Sequence, residues 1–266
     1  GSAFCRHCAA WRGCLGLEPT PDLYVHHLVE IFREVRRVLR DDGTLWLNLG
    51  DSYAGGGGGN YNKTGISQAG GQHIANVRNR PEWLDNAGVK PKDLMGIPWR
   101  VALALQQDGW YLRSDIIWHK PNPMPESVTD RCTKAHEYLF LLSKSPKYYY
   151  DHEAIKEQAT TAPVARNKSA EGYQADYAKG DRISAGERVY GADGKRNKRD
   201  VWTVATKPFK GAHFAVMPEA LVEPCVLAGS ASGDTVLDPF TGSGTVAVVA
   251  NRFGRNFVGT ELNPEY

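Results

Sequence analysis

An α/β fold, with helices on both faces of a mostly parallel sheet that also holds an antiparallel strand pair, follows from three features of this sequence. Apolar runs of strand length alternate with segments whose apolar residues recur at helical spacing. Two of the runs break off in polar residues, Leu47-Asn48-Leu49-Gly50-Asp51 and Val236-Leu237-Asp238, as strands do at the carboxyl edge of an open sheet. The chain then closes with a strand, a glycine turn, a helix of small residues and a second strand ending in a carboxylate. At 266 residues and 41% hydrophobic content, it can bury the core of one large domain, or of one domain with an insertion.

Residues 1–20 read as an irregular N-terminal segment. Cys5-x-x-Cys8, with His7 and Cys14 nearby, is half of a zinc-knuckle pattern. A structural zinc site wants four ligands, commonly as two such pairs, so unligated cysteines are expected and no metal site is assigned. Over 21–39, Leu23, Leu28, Ile31, Phe32, Val35, Val38 and Leu39 fall at helical spacing, with Thr20 as N-cap and Pro21 at the first helical position. Asp42-Gly43 turns the chain into a buried strand over 44–49.

Residues 54–93 form a long polar loop with five consecutive glycines, Gly55 to Gly59, expected to be a mobile functional element or disordered. A helix over 98–108 and a strand over 111–118 follow. Three prolines in His119-Lys120-Pro121-Asn122-Pro123-Met124-Pro125 forbid continuation of the sheet. Strand character resumes at 135–142, so the two strands are neighbours across a rigid loop. His119, Lys120 and Asn122 at its mouth are candidates for substrate or nucleic-acid contact, or for capping strand ends.

Three stretches follow from these patterns: 21–150, an insertion over 151–200, and 201–266, which holds the strand–glycine-turn–helix unit. Between residues 163 and 200 there are nine Lys/Arg against six Asp/Glu. Arg166, Lys168, Arg188, Lys195, Arg196, Lys198 and Arg199 are interleaved there with Tyr173, Tyr177 and Tyr190. Such a stretch suits phosphate neutralisation and base stacking, and equally suits a solvated insertion. The formal net charge of +2 does not announce a nucleic-acid binder, so any basic surface is local. No run approaches the roughly 18 apolar residues of a membrane span, and five scattered cysteines fit a reducing cytoplasm.

The unit Asp238-Pro239-Phe240-Thr241-Gly242-Ser243-Gly244-Thr245, closed by Gly259-Thr260-Glu261, is built to hold a nucleotide cofactor. Its small residues allow close backbone approach, its helix start offers free N–H groups, and Glu261 is placed to accept from a ribose diol. Gly242-x-Gly244-x-x-Ala247 also satisfies a dinucleotide fingerprint, so NAD is an alternative ligand. Against NAD, Asp238 places a carboxylate where a pyrophosphate would lie, and no second strand–turn–helix of this kind exists. A carboxylate suits a cationic ligand such as S-adenosylmethionine.

These stretches resemble the amino-methylating DNA methyltransferases of the permuted (β) order, a Rossmann-like class I methyltransferase fold in which target-side motifs precede the cofactor motif. The resemblance rests on 37–47, Ile117-Trp118-His119-Lys120-Pro121-Asn122, Ala135-His136-Glu137-Tyr138, 238–245 and 259–266. It implies transfer of a methyl group from S-adenosylmethionine to the exocyclic amine of cytosine (N4) or adenine (N6) in DNA, with the base flipped out of the duplex. Cytosine-N4 is favoured by the 43–53 segment and the region after Trp118. The resemblance further implies that Asp238, Pro239, Phe240, Gly242, Gly244, Thr245 and Glu261 line the cofactor, with His213, Phe214 and Pro218 near its methionine part. Asn48 and Asp51 would face the methyl-transfer pocket, and His119, Lys120 and Asn122 would border the flipped base.

One element of the family is absent. Its Ser/Asp/Asn-Pro-Pro-aromatic tetrapeptide, which accepts from the target amine, occurs nowhere in the 266 residues. Ser145-Pro146-Lys147-Tyr148 lacks the second proline. The expectation is a fragment, or a half completed by a homodimer partner or a second chain supplying the missing strand. The alternatives are a catalytically inactive S-adenosylmethionine- or DNA-binding subunit and, remotely, a nicotinamide oxidoreductase.

Overall fold

Helix α1 (Pro21–Val38) begins where the sequence places it: Thr20 is extended and its hydroxyl accepts from Leu23 N at 3.2 Å, with proline in the first turn. The computed structural model describes residues 4–5, 10–54, 89–90, 92–159, 194–206 and 217–263, and the backbone of strands at 164–165 and 189–190. The zinc-knuckle pattern, through His7 and Cys8, lies partly outside them, as do Gly55 to Gly59 and most of the 54–93 loop.

After α1 come β1 (Thr44–Leu49), α2 (Ile97–Gln107), β2 (Tyr111–His119) and β3 (His136–Ser143). Within the next stretch lie β4 (Glu157–Gln158), β5 (Val164–Ala165), β6 (Val189–Tyr190) and β7 (Lys195–Arg196), pairing antiparallel as β4 with β7 and β5 with β6. Then follow β8 (Val201–Thr203), α3 (Glu219–Gly229), β9 (Thr235–Asp238), α4 (Thr245–Arg252) and β10 (Asn256–Gly259).

The principal sheet has the order β1-β3-β2-β8, and β9 and β10 form a separate parallel pair. Both β1 and β2 run antiparallel to β3, which lies between them, so β1 and β2 are parallel to each other. Since β8 is parallel to β2, the strands β1, β2 and β8 all end at one edge. The strand at 201–203, read from sequence with residues 201–266, thus hydrogen-bonds into the sheet of β1, β3 and β2.

Helices cover both faces, as expected for this class. On one face α1 and α2 pack together, burying Leu28, Phe32, Val101 and Leu105 against Leu47, Phe140 and Leu142. On the other, Leu221 and Cys225 of α3 meet Ile116, Trp118, Leu139 and Trp202. The period-2 alternation of β3 decides this: Phe140 and Leu142 face α1 and α2, while Leu139 faces α3. Helix α3 also reaches the second pair of strands, through Val222 and Val226 against Val236, Val246 and Val249.

Two contacts fix the β9–β10 pair relative to β1. Leu237 packs with Leu45 and Leu49 against the α1–α2 core. Arg40, just before β1, pairs with Asp234, just before β9, at 3.1 Å. The two strands therefore start at the same end and finish at the same edge. Among the described residues, neither the outer edge of β1 nor that of β9 carries a partner strand.

Candidate active site

The corner at the ends of β9 and β10 is a closed circuit of backbone and side-chain hydrogen bonds. Thr260 N donates to Asp238 O and Thr241 N to Thr260 O, both at 3.0 Å, tying the end of β10 to the turn after β9. Thr241 Oγ1 donates to Asp238 O at 3.1 Å and Thr260 Oγ1 to Pro239 O at 2.8 Å. Glu261 accepts from Gly242 N through one oxygen and from Asn263 N through the other, each at 2.8 Å. The carboxylate beyond β10 thereby holds the glycine turn, a role the sequence does not announce.

Two glycines are required by geometry. Gly244 caps α4 in the left-handed region (φ 80°), and the space a side chain would fill is open. A Cβ on Gly259 would lie 2.2 Å from Thr241 Oγ1 and 2.7 Å from the Phe257 ring, so only glycine allows β10 to approach the turn. Thr245 opens α4, whose start has no side-chain cap hydrogen bond. Phe240 is half-exposed and meets the Phe32 ring edge-on at 6.4 Å.

Asp238 accepts from Phe240 N at 2.9 Å. Burial raises its pKa above the ordinary aspartate value, the Phe240 N–H works against that, and nearby Glu261 raises it further. Two carboxylates held this close form a site that favours a cation. Pro218 is buried at the start of α3, where its carbonyl accepts from Leu221 N at 2.9 Å. His213 and Phe214 lie outside the described residues.

On the target side, the structure brings the candidates to one edge and engages each of them. Asn48 Nδ2 donates to Tyr138 O at 3.0 Å. Asp51 caps α2, accepting from Gly96 N and Ile97 N at 3.1 Å, and from Ser52 N at 2.8 Å. His119 Nδ1 lies 3.1 Å from Thr203 Oγ1. Lys120 pairs with Glu137 and sits 4.3 Å from the Trp118 ring centroid. The Asn122 side chain grips Thr206 by both its backbone groups, at 3.1 and 3.0 Å. Glu137 and Trp118 were not singled out by sequence reasoning, although a carboxylate opening the apolar run of β3 was the available signal.

Ser145-Pro146-Lys147-Tyr148 lies at the wrong edge. It follows the end of β3, where Ser143 pairs with Thr44 at the start of β1, and Ser145 Oγ donates to Asp41 O at 2.7 Å. Of the basic residues in the insertion, Arg196 and Arg199 each donate to Glu157 at 2.8 Å and Lys198 lies over Trp202. Arg166, Lys168, Arg188, Tyr173 and Tyr177 are outside the described residues. Among the described residues no cluster of three or more His, Cys, Asp or Glu could hold a metal, and no helix is long and apolar enough to cross a membrane.

A strand–glycine-turn–helix with two carboxylates beside it, set near a second group of strand ends, is a layout suited to a nucleotide cofactor. The comparisons name the class. A family model for DNA methylase, of N6/N4 methyltransferases, matches residues 15–266. The type II methyltransferase M.Cfr9I of Citrobacter freundii is 49% identical over 252 residues, covering 95% of this chain and 71% of that protein. M.SmaI of Serratia marcescens is 48% identical over 254 residues, covering 96% and 75%. Among solved structures, the cytosine-N4-specific PvuII DNA methyltransferase superposes with a TM-score of 0.58 at 17% identity, over 92% of this chain and 68% of that one. This chain belongs to the DNA methylase family, whose members are S-adenosylmethionine-dependent DNA N-methyltransferases.

Proposed function

We propose that this chain provides the cofactor-binding half and part of the target pocket of a cytosine-N4 DNA methyltransferase, completed by a strand entering between β1 and β9. The observation that carries this reading is the pair of open strand edges. β1 and β9 start together, finish together and share apolar packing, yet neither edge is paired among the described residues. A strand there would place its polar end between Asn48 and Asp238. The tetrapeptide such a strand would carry does not occur in these 266 residues, which supports its supply by a second chain or a further segment of the same protein.

The chain's own residues have separable roles. Asp238 and Glu261 would favour the cationic methionine end and the ribose hydroxyls, and Gly244 and Thr245 would leave room and N–H groups at the helix start. S-adenosylmethionine supplies an electrophilic methyl group. The target amine is a weak nucleophile because its lone pair is delocalised into the ring, so the protein's contribution is positioning. The Trp118, His119, Lys120 and Asn122 corner is held rigid by Glu137, Thr203 and Thr206 and would border the flipped base. What favours cytosine-N4 over adenine-N6 is the resemblance of the 43–53 segment and the region after Trp118 to the cytosine-N4 enzymes.

The test is transfer of an isotopically labelled methyl group to DNA, followed by digestion to nucleosides and mass spectrometry. Label in N4-methylcytosine supports the reading, and label only in N6-methyladenine overturns the choice of base. Calorimetric binding of S-adenosylhomocysteine with no turnover, and none after adding a peptide strand bearing the tetrapeptide, would favour an inactive subunit.

A further inference from the structure

Beyond the ends of β1 and β2, the charged side chains of Asp51, Lys120, Glu126, Arg131, Lys134 and Glu137 gather at the carboxyl edge. All but one are satisfied. Asp51 caps α2 and Lys120 pairs with Glu137. Arg131 Nη1 pairs with Glu126 at 3.0 Å, and its guanidinium lies 4.0 Å from the Tyr53 ring centroid.

Lys134 is the exception. Among the described residues its amine is buried and has no hydrogen-bond partner. It stands two residues before β3, and Ala135 O accepts from Lys120 N at 2.8 Å, which keeps it on the edge that carries Lys120. Desolvation pushes its pKa below the ordinary lysine value, against the opposing pull of Asp51, Glu137 and Glu126. The carboxylates around it act at a distance while bonded elsewhere. Buried donors are almost always satisfied in native proteins, so an orphaned ammonium at a binding edge points to an acceptor that arrives with a ligand.

We propose that Lys134 is a substrate-binding residue whose ammonium donates to an acceptor oxygen of the target nucleotide, on its phosphate or on its base. This rests on the functional reading above, because it takes the edge of β1 and β2 to be where DNA docks. The chemistry fits both sources. A lysine ammonium is a compact point charge with three donors, suited to a phosphate oxygen or a pyrimidine carbonyl.

The experiment compares wild type, Lys134→Met and Lys134→Arg by filter binding of labelled plasmid DNA with saturating S-adenosylhomocysteine, over a salt series. Methionine matches the stem while removing the orphaned donor, so its melting temperature should equal or exceed that of wild type, with S-adenosylhomocysteine affinity unchanged. DNA affinity should fall at least tenfold in Lys134→Met and be largely kept in Lys134→Arg. A drop of about one unit in the slope of log affinity against log salt assigns the phosphate, and an unchanged slope assigns the base carbonyl. Wild-type DNA affinity in Lys134→Met overturns the proposal, as does a loss matched by equal losses in melting temperature and S-adenosylhomocysteine binding. If wild type itself fails to bind the plasmid, the functional reading falls, and this proposal with it.

Discussion

Replacing Asp238 by asparagine separates cofactor recognition from stability, because the structure makes the two respond in opposite directions. The amide that Asp238→Asn introduces keeps an acceptor for Phe240 N, which Asp238 now engages at 2.9 Å, so the turn after β9 is retained. The substitution removes a carboxylate that burial and Glu261 both disfavour. The unliganded protein should therefore melt at the same temperature or higher at neutral pH. The sign follows from the raised pKa. An acid whose pKa is higher folded than unfolded favours the native state below its ordinary value, and that contribution is lost as pH rises through the raised one. Cofactor binding should move the other way. A hydrogen bond to a charged group contributes roughly 1.5–3 kcal/mol and a neutral one about 1 kcal/mol. Losing the charge while keeping the shape should thus weaken S-adenosylmethionine binding by about two- to thirtyfold. Calorimetry with S-adenosylmethionine, beside thermal melts of the free protein, measures both. Unchanged affinity in Asp238→Asn would refute the assignment of this carboxylate to the cationic cofactor.

The same carboxyl group predicts that wild-type affinity for S-adenosylmethionine falls as pH drops through the raised pKa of Asp238, while Asp238→Asn shows no such step in a pH series of titrations. Gly259→Ala forces a Cβ to 2.2 Å from Thr241 Oγ1. Overpacking of this kind costs about 1–3 kcal/mol, which a lowered denaturation midpoint should report. Glu137→Gln leaves the partly buried Lys120 without its ion pair, and a double-mutant cycle with Lys120→Met should give a coupling of about 1–2 kcal/mol, against near zero for a solvent-screened pair. Cys225 is buried and its thiol pKa is pushed up by desolvation. A thiol reagent should label the exposed Cys5, Cys14 and Cys132 in the native protein and reach Cys225 only on unfolding.

The periodicities of the sequence were sufficient for the helices and the longer strands, which depend on local rules, but not for the two-residue strands β4 to β7, where the periodicity fades. Thr20 with Pro21 fixes the start of α1, and the prolines after His119 end β2, so both boundaries could be read without tertiary information. The glycine turn after β9 was legible for a similar reason, since Gly244 and Gly259 answer constraints imposed within a short span of chain. What sequence could not give is how polar side chains are used once strands from distant positions meet. Asp51 is bonded to the start of α2 and Asn122 to Thr206, across separations of 45 and 84 residues. Lys134 carries no sequence signal for the opposite reason: its significance is the lack of a partner among the described residues, a property only three-dimensional packing defines.

Those engagements bear on where the chemistry must come from. A group that accepts from the target amine needs a free lone pair facing the methyl donor. Asp51 accepts three backbone hydrogen bonds, and Asn48 donates its amide to Tyr138 O. The groups at the ends of β1 and β2 therefore build the frame of the pocket more than they fill it. On the other side, Asp238 and Glu261 form a negative corner suited to the cofactor rather than to an amine waiting to be methylated. The place left for an acceptor is the interval between those strand ends, bounded by the two unpaired edges of β1 and β9. A strand pairing with both would satisfy their backbone groups and close one continuous sheet, because the parallel directions of β1 and β9 already match. Its carboxyl end would then stand beside Asp238, where a polar side chain could reach the amine. On this reading the permuted chain order has a physical basis: cofactor half and target half need only share a common edge, and the residues that join them can be contributed from either side.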